Sequence, residues 1–139
     1  MLLDTCVISE MAKPGPGPRV AAWMAAYHAQ SRFSVIVLGE IACGIALLPA
    51  GQRREQLVAW LNGLERRFAD RILPIDPAIA RVWAQLHAAR QQASRPLAMA
   101  DGLIAATAQV HGLPIITRNT ADFARLSGVT VINPWETAP

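Results

Sequence analysis

Three carboxylates stand alone in long uncharged apolar runs, and whatever fold this chain adopts has to find a place for them. Asp4 lies in Met1-Leu2-Leu3-Asp4-Thr5-Cys6-Val7-Ile8, Glu40 is the only charge between Arg32 and Arg53, and Asp101 is the only charge between Arg95 and Arg118. Acidic side chains are almost never fully buried unless they are paired or bound to a metal. Three such acids, far apart in sequence, point to one shared site with a cation at its centre.

The apolar runs are short and alternate with helical stretches. Leu2-Leu3, residues 33–35, Ile72-Leu73, Ile115-Ile116 and residues 129–131 read as buried strands. Helical spacing of apolar side chains predicts helices over 5–12, 18–28, 36–48, 52–68, 77–93, 99–111 and 121–126, with Gly112 as the cap of the sixth. Short strands alternating with helices predict an α/β sandwich around a mostly parallel sheet. In such sheets ligands collect outside the carboxyl ends of the strands, and Asp4 directly follows the first one.

Composition narrows the class. With 139 residues, 53% hydrophobic and 17% charged, the chain is expected to be a single domain with a real core, and disorder is excluded. The net charge of +3 comes almost wholly from arginine, Lys13 being the only lysine. That excess permits a polyanionic partner without requiring one. Cys6 and Cys43 show no zinc spacing, so a reduced cytoplasmic chain without a disulfide is expected. The longest apolar stretch, 33–50, is broken by Glu40 and Pro49, whereas a membrane span needs about 20 mostly apolar residues. No membrane association is expected.

A fourth acid, Asp122, follows the polar loop of Thr117, Arg118, Asn119 and Thr120 that leaves Ile115-Ile116. For Asp101 and Asp122 taken singly, first-turn capping or dipole complementation is the plainer explanation. Asp4 reads equally well as a turn residue, while Glu40, in mid-helix, has no capping role. Four converging carboxylates raise one another's pKa, and a hard divalent cation relieves the conflict. Oxygen-only donors suit Mg²⁺ or Mn²⁺ rather than zinc. Magnesium keeps several waters, leaving room for a phosphate oxygen and an activated water, as metal-assisted phosphodiester hydrolysis requires.

The motifs also resemble a family. Leu2-Leu3-Asp4-Thr5, then Ser34-Val35-Ile36-Val37-Leu38-Gly39-Glu40, then Ala100-Asp101-Gly102-Leu103-Ile104-Ala105-Ala106-Thr107-Ala108, then Thr117-Arg118-Asn119-Thr120-Ala121-Asp122-Phe123 look, in that order, like a PIN domain. More narrowly, the chain is similar to the FitB-like branch of VapC toxins, a likeness shared by Leu48-Pro49-Ala50-Gly51 and Asn133-Pro134-Trp135-Glu136. The resemblance spans essentially the whole chain and implies one PIN domain over residues 1–139. Its fold would be a three-layer α/β/α sandwich with a short-stranded, mostly parallel central sheet.

That resemblance further implies a Mg²⁺- or Mn²⁺-dependent endoribonuclease acting on RNA. It would be the toxin of a type II toxin–antitoxin pair, held in check by a cognate antitoxin and expected to be a homodimer. Carried over by motif, Asp4, Glu40, Asp101 and Asp122 are the catalytic, metal-binding acids. Thr5, Thr117 and Asn119 are supporting polar groups. Arg118, inside the fourth motif, is the first choice for a phosphate contact.

Two departures stand out: Cys6, where the family usually has asparagine, and Val37, where threonine is common. A thiol is a poor hydrogen-bond partner and a poor magnesium ligand. Cys6 therefore keeps open the alternative of a catalytically silent PIN-like binding protein. A receiver-like signalling module would need a lysine beside the acids, and Lys13 lies in a Pro/Gly loop. His28, His87 and His111 share no spacing with the acids. Trp23, Trp60 and Trp83 read as core or dimer contacts. Trp135, in the tail of residues 133–139, is open to either a packing or a binding role. Arg53, Arg54, Arg66, Arg67 and Arg71 form either a basic surface, for RNA or for an acidic antitoxin segment, or a solvated helix face.

Overall fold

The computed structural model describes residues 1–123 and 125–138. The chain runs β1 (Leu2–Leu3), α1 (Thr5–Met11), α2 (Pro18–Tyr27), a 3₁₀ turn (His28–Gln30), β2 (Phe33–Ser34), α3 (Val35–Ala46) and α4 (Gln52–Arg67). It continues through β3 (Ile72–Leu73), α5 (Pro77–Gln92), α6 (Met99–His111), β4 (Ile115–Ile116), α7 (Thr120–Phe123) and β5 (Val131–Ile132).

Every strand pairing is parallel. Leu2 and Leu3 face Ile115 and Ile116, which in turn face Val131 and Ile132, while Phe33 and Ser34 face Ile72 and Leu73. A parallel bridge from Leu2 to Arg32 joins the two groups, with Leu3 N–H donating to Arg32 O at 2.8 Å and Arg32 N–H to Met1 O at 2.9 Å. The resulting order is β3-β2-β1-β4-β5. Parallel neighbours need long crossovers, here mostly helical, and such crossovers leave the strands buried. Leu2, Leu3, Ile115 and Ile116 are fully enclosed, each contributing about 1.5–3 kcal/mol relative to exposure. The order reverses between β1 and β4, so a crevice opens there at the carboxyl edge.

Several expected boundaries move, for local reasons. The second strand stops at Ser34 because its hydroxyl accepts from Ile36 N–H and caps α3, which takes Val35 as its first residue. The last strand is Val131–Ile132 rather than 129–131. Gly128, at φ +74°, turns the chain first, and Thr130 O receives Ile115 N–H at 2.8 Å. The short helix expected over 121–126 is Thr120–Phe123; Ala124 lies outside the described residues, as does Pro139 of the tail. Helix α6 matches its expected limits, and Gly112 closes it in the left-handed conformation at φ +61°.

Helices α5 and α6 pack as an antiparallel pair, and at one point they leave no room. A Cβ on Gly102 would lie 2.9 Å from Trp83 Cδ1 and 3.0 Å from Nε1. The indole ring is rigid, so position 102 has to be glycine while Trp83 stays in place. No helix among the described residues is long and apolar enough to cross a membrane.

Candidate active site

Asp4 occupies the first residue after β1 and is only 7% exposed. It is also the N-cap of α1, its Oδ1 accepting Thr5 N–H at 2.7 Å. Its other oxygen, Oδ2, accepts the Thr117 hydroxyl at 2.6 Å in a buried bond spanning 113 positions. Structural capping and membership of the site therefore coincide in one side chain. The sheet explains why: β1 and β4 are adjacent and parallel, so residues 4 and 117 leave the same edge side by side.

The loop after β4 is tied back on itself. Thr117 Oγ1 accepts Asn119 N–H at 2.9 Å, and the Asn119 side-chain amide donates to Asp122 Oδ2. Asp122 sits in α7, half-buried. Thr5, in α1, donates its hydroxyl to Glu40 Oε2 at 2.5 Å. Each supporting group named from the sequence thus meets one of the four acids.

Asp101 stands in the first turn of α6, where no side chain caps the helix, so it does no capping work. Burial pushes its carboxyl up to about 6, with further contributions from Asp4, Asp122 and Glu40. Asp101 therefore lies within electrostatic reach of the other three acids. No Lys or Arg contributes to that shift, so its Coulombic part comes wholly from carboxylates.

Glu40 corrects the expectation of buried acids. Val37, Ile41 and Ile45 form the buried stripe of α3, and Glu40 falls off it, exposed. An uncharged run in sequence becomes an amphipathic helix whose outer face is partly apolar, with Leu47 81% exposed. Burial in the strict sense belongs to Asp4 alone among the four.

Cys6 is in the site rather than beside it. Its thiol donates to Asp4 Oδ2 at 3.3 Å, lies 3.4 Å from Thr117 Oγ1 and accepts Arg118 N–H at 3.4 Å. Burial raises its pKa, so it stays a neutral thiol and a weak donor. The sulfur occupies the network without breaking it. Cys43 is exposed on α3, and both cysteines are free. Arg118 lays its guanidinium over Trp135 at 5.1 Å from the ring centroid. Arg19 fixes that tail by donating to Trp135 O at 3.1 Å.

Lys13 and Arg53 line a pocket with Thr5 and Glu40, while other titratable groups serve the packing. His87 stacks on Trp83, and His28 meets the edge of Phe68. Arg71 packs over Phe68 and donates to His28 O and Arg67 O, serving structure. Lys13 pairs with Glu10 at 2.6 Å. Glu10 had no signal in the sequence: it is 7% exposed, and Lys13 and then Gly17 N–H hold its carboxyl below the usual range.

The donor set fits a hard divalent cation. It is all oxygen, anionic and mutually repulsive, which such an ion relieves. Among the described residues no three His, Cys, Asp or Glu side chains stand close enough to close a metal cage by themselves. An open arrangement suits magnesium, which takes one or two carboxylates and keeps waters that a phosphate can replace.

The chain is similar to known proteins over nearly its whole length. The family model described as "PIN domain" matches residues 1–129. The chain is 39% identical to the toxin FitB of Neisseria gonorrhoeae, covering 97% of this chain and 98% of the relative. It is also 39% identical to the VapC ribonuclease Y4jK of Sinorhizobium fredii, covering 99% of each. In three dimensions it is similar to the crystal structure of FitAcB from Neisseria gonorrhoeae. There the TM-score is 0.88 at 39% identity, covering 98% of this chain and 99% of that one.

Proposed function

The chain belongs to the PIN-domain family, and from that premise we propose that its carboxylate crevice hydrolyses RNA phosphodiester bonds with Mg²⁺ or Mn²⁺ as the cofactor. It is a VapC-type ribonuclease, the toxin of a toxin–antitoxin pair. Residues 1–139 form one domain that acts in the cytoplasm, as a homodimer restrained by its cognate antitoxin. The observation that carries this reading is the buried Thr117–Asp4 hydrogen bond. It joins the first and fourth motifs at the point where strand order reverses and gathers their acids on one edge.

Asp4, Glu40, Asp101 and Asp122 would hold the ion. When bound, the ion neutralises charge on phosphate oxygens and lowers the pKa of water. The chain's own residues do the positioning. Thr5 N–H and the Thr117 hydroxyl fix both oxygens of Asp4, so its carboxylate needs little reordering when substrate arrives. Asn119 orients Asp122, and Thr5 orients Glu40. Asp101 has no such tether. It adjusts its protonation, neutral in part near pH 6 and fully ionised once an ion offsets its neighbours. Arg118, backed by Trp135, is placed to meet a phosphate beside the acids.

Purified protein should cleave single-stranded RNA with Mg²⁺ or Mn²⁺, and chelation should abolish the activity. Asp101→Asn should lower kcat by roughly 10³-fold while the circular dichroism stays unchanged. Wild-type rates in Asp101→Asn would overturn the four-acid reading.

A further inference from the structure

The substrate just proposed is a polyanion, and the crevice that must receive it is itself anionic. Carboxylates repel phosphates, so much of the affinity for RNA has to come from cations flanking the site. On one side, Arg53 of α4 and Lys13 share a pocket with Thr5 and Glu40. Three further arginines, which no motif includes, stand together. Arg90 near the end of α5, Arg95 in the connection to α6, and Arg125 after α7 line one cleft of about 450 Å³ together with Leu86, Leu126 and Ser127.

Two properties make this a built site rather than a basic patch. No acid lines the cleft, and among the described residues none of the three arginines forms an ion pair. In addition, Arg90 Nε is buried without any hydrogen-bond partner. A buried donor left unpaired is costly, the more so when charged, and an arriving acceptor offsets that cost. Short stretches of chain connect the cleft to two of the acids: Arg95 precedes Asp101 by six residues, and Arg125 follows Asp122 by three.

We propose that this cleft is a phosphate-binding subsite for the RNA strand flanking the scissile bond. Guanidinium forks match phosphate oxygens in pairs, and the apolar walls of Leu86 and Leu126 give them a low-dielectric setting. The subsite rests on the ribonuclease reading, and it explains how an anionic crevice can hold an anionic strand.

The test uses the full chain and a fluorescent single-stranded RNA of about 12 nucleotides, followed by anisotropy in EDTA over a range of salt. Arg95 and Arg125 are exposed, so Arg95→Glu/Arg125→Glu should fold normally. It should bind at least about tenfold more weakly, with a salt slope lower by about 1.4, near 0.7 for each lost contact. Arg90→Lys keeps the charge but loses the fork and should weaken binding severalfold. A charge-matched control, Arg66→Glu/Arg81→Glu, should stay within about twofold, since screening over about 10 Å damps remote charges. Equal losses in control and cleft variants would overturn the subsite. So would unchanged RNA binding, including the case where the variants fail only to bind a poly-glutamate peptide. A wild-type protein inactive on RNA with Mg²⁺ or Mn²⁺ would instead sink the ribonuclease reading, so the two failures are distinguishable.

Discussion

The carboxylate crevice and the arginine cleft are built from adjoining stretches of chain, yet they carry opposite charge and are finished to different degrees. In the crevice, Asp4 has both oxygens engaged and Asp122 is held by Asn119. Only Asp101 is left to respond to its neighbours, its carboxyl raised to about 6 by burial and by the other acids. In the cleft, the buried Nε of Arg90 has no partner at all. One region lacks a cation and the other lacks an anion. In the proposed function a metal ion and an RNA phosphate would supply both, so each region would be completed by the substrate complex.

The sharpest way to break this contrast is to remove charge from the acid side. Asp101→Asn should cost about 10³-fold in kcat, roughly 4 kcal/mol of transition-state stabilisation, while RNA affinity in EDTA stays level or improves as repulsion falls. Cleft variants should do the reverse and act on binding.

Next in size is the steric link between Trp83 and Gly102. Gly102→Ala places a methyl group 2.9 Å from the indole, so the α5–α6 pair must shift, at about 1–3 kcal/mol of stability. Asp101 moves with it, and activity should fall on the order of 10²-fold. Adding Trp83→Leu opens the space and should recover much of that activity. Failure to recover would mean that Gly102 matters for some reason other than this contact.

A smaller effect follows from Thr117→Val, which keeps the shape and deletes the donor to Asp4 Oδ2. Activity should drop by about 10–100-fold, with about 1–2 kcal/mol lost in chemical denaturation. A loss as large as that of Asp101→Asn would show that the tethered half of the crevice contributes as much as the adjustable half.

The smallest effect is in stability against pH. Asp101 has a folded pKa of about 6 against 3.8 for the free group, so the folded state binds more protons between those values. Without metal, stability should fall as pH rises from about 4 to 6 and stay low above, by about 1 kcal/mol after discounting for partial exposure. Mg²⁺ should raise Tm more at pH 7.5 than at pH 5, and Asp101→Asn should flatten both trends. Equal Mg²⁺ stabilisation at the two pH values would separate the shift from the metal.

The two regions were unequally legible in the sequence. Asp4, Glu40 and Asp101 are lone charges in apolar runs, and Asp4 follows a strand while Asp101 and Asp122 sit in the first turns of helices, so for these position in the fold could be read with identity. Glu40 was seen for a partly wrong reason: its run is uncharged, but the helix turns it outward. Arg90, Arg95 and Arg125 gave no such signal, because arginine near a helix end or in a turn is ordinary and only tertiary packing brings these three together. The Trp83–Gly102 contact was hidden likewise, since helical spacing assigns Trp83 to a face but not to a partner. Strand limits were the least certain because every strand is two residues long, which leaves hydrogen bonds such as that from Ile115 N–H to Thr130 O to fix where β5 begins.

Pairing of the first strand with the fourth bears on how the molecule comes into being. Leu2 meets Arg32 on one side early, but its neighbour on the other side comes only at Ile115, and the hydroxyl for Asp4 only at Thr117. Synthesis proceeds from the amino end, and non-local parallel pairing is slow to form. The first of the four acids is therefore made at the outset, and its hydroxyl partner near the finish. A half-made chain on the ribosome has no assembled crevice.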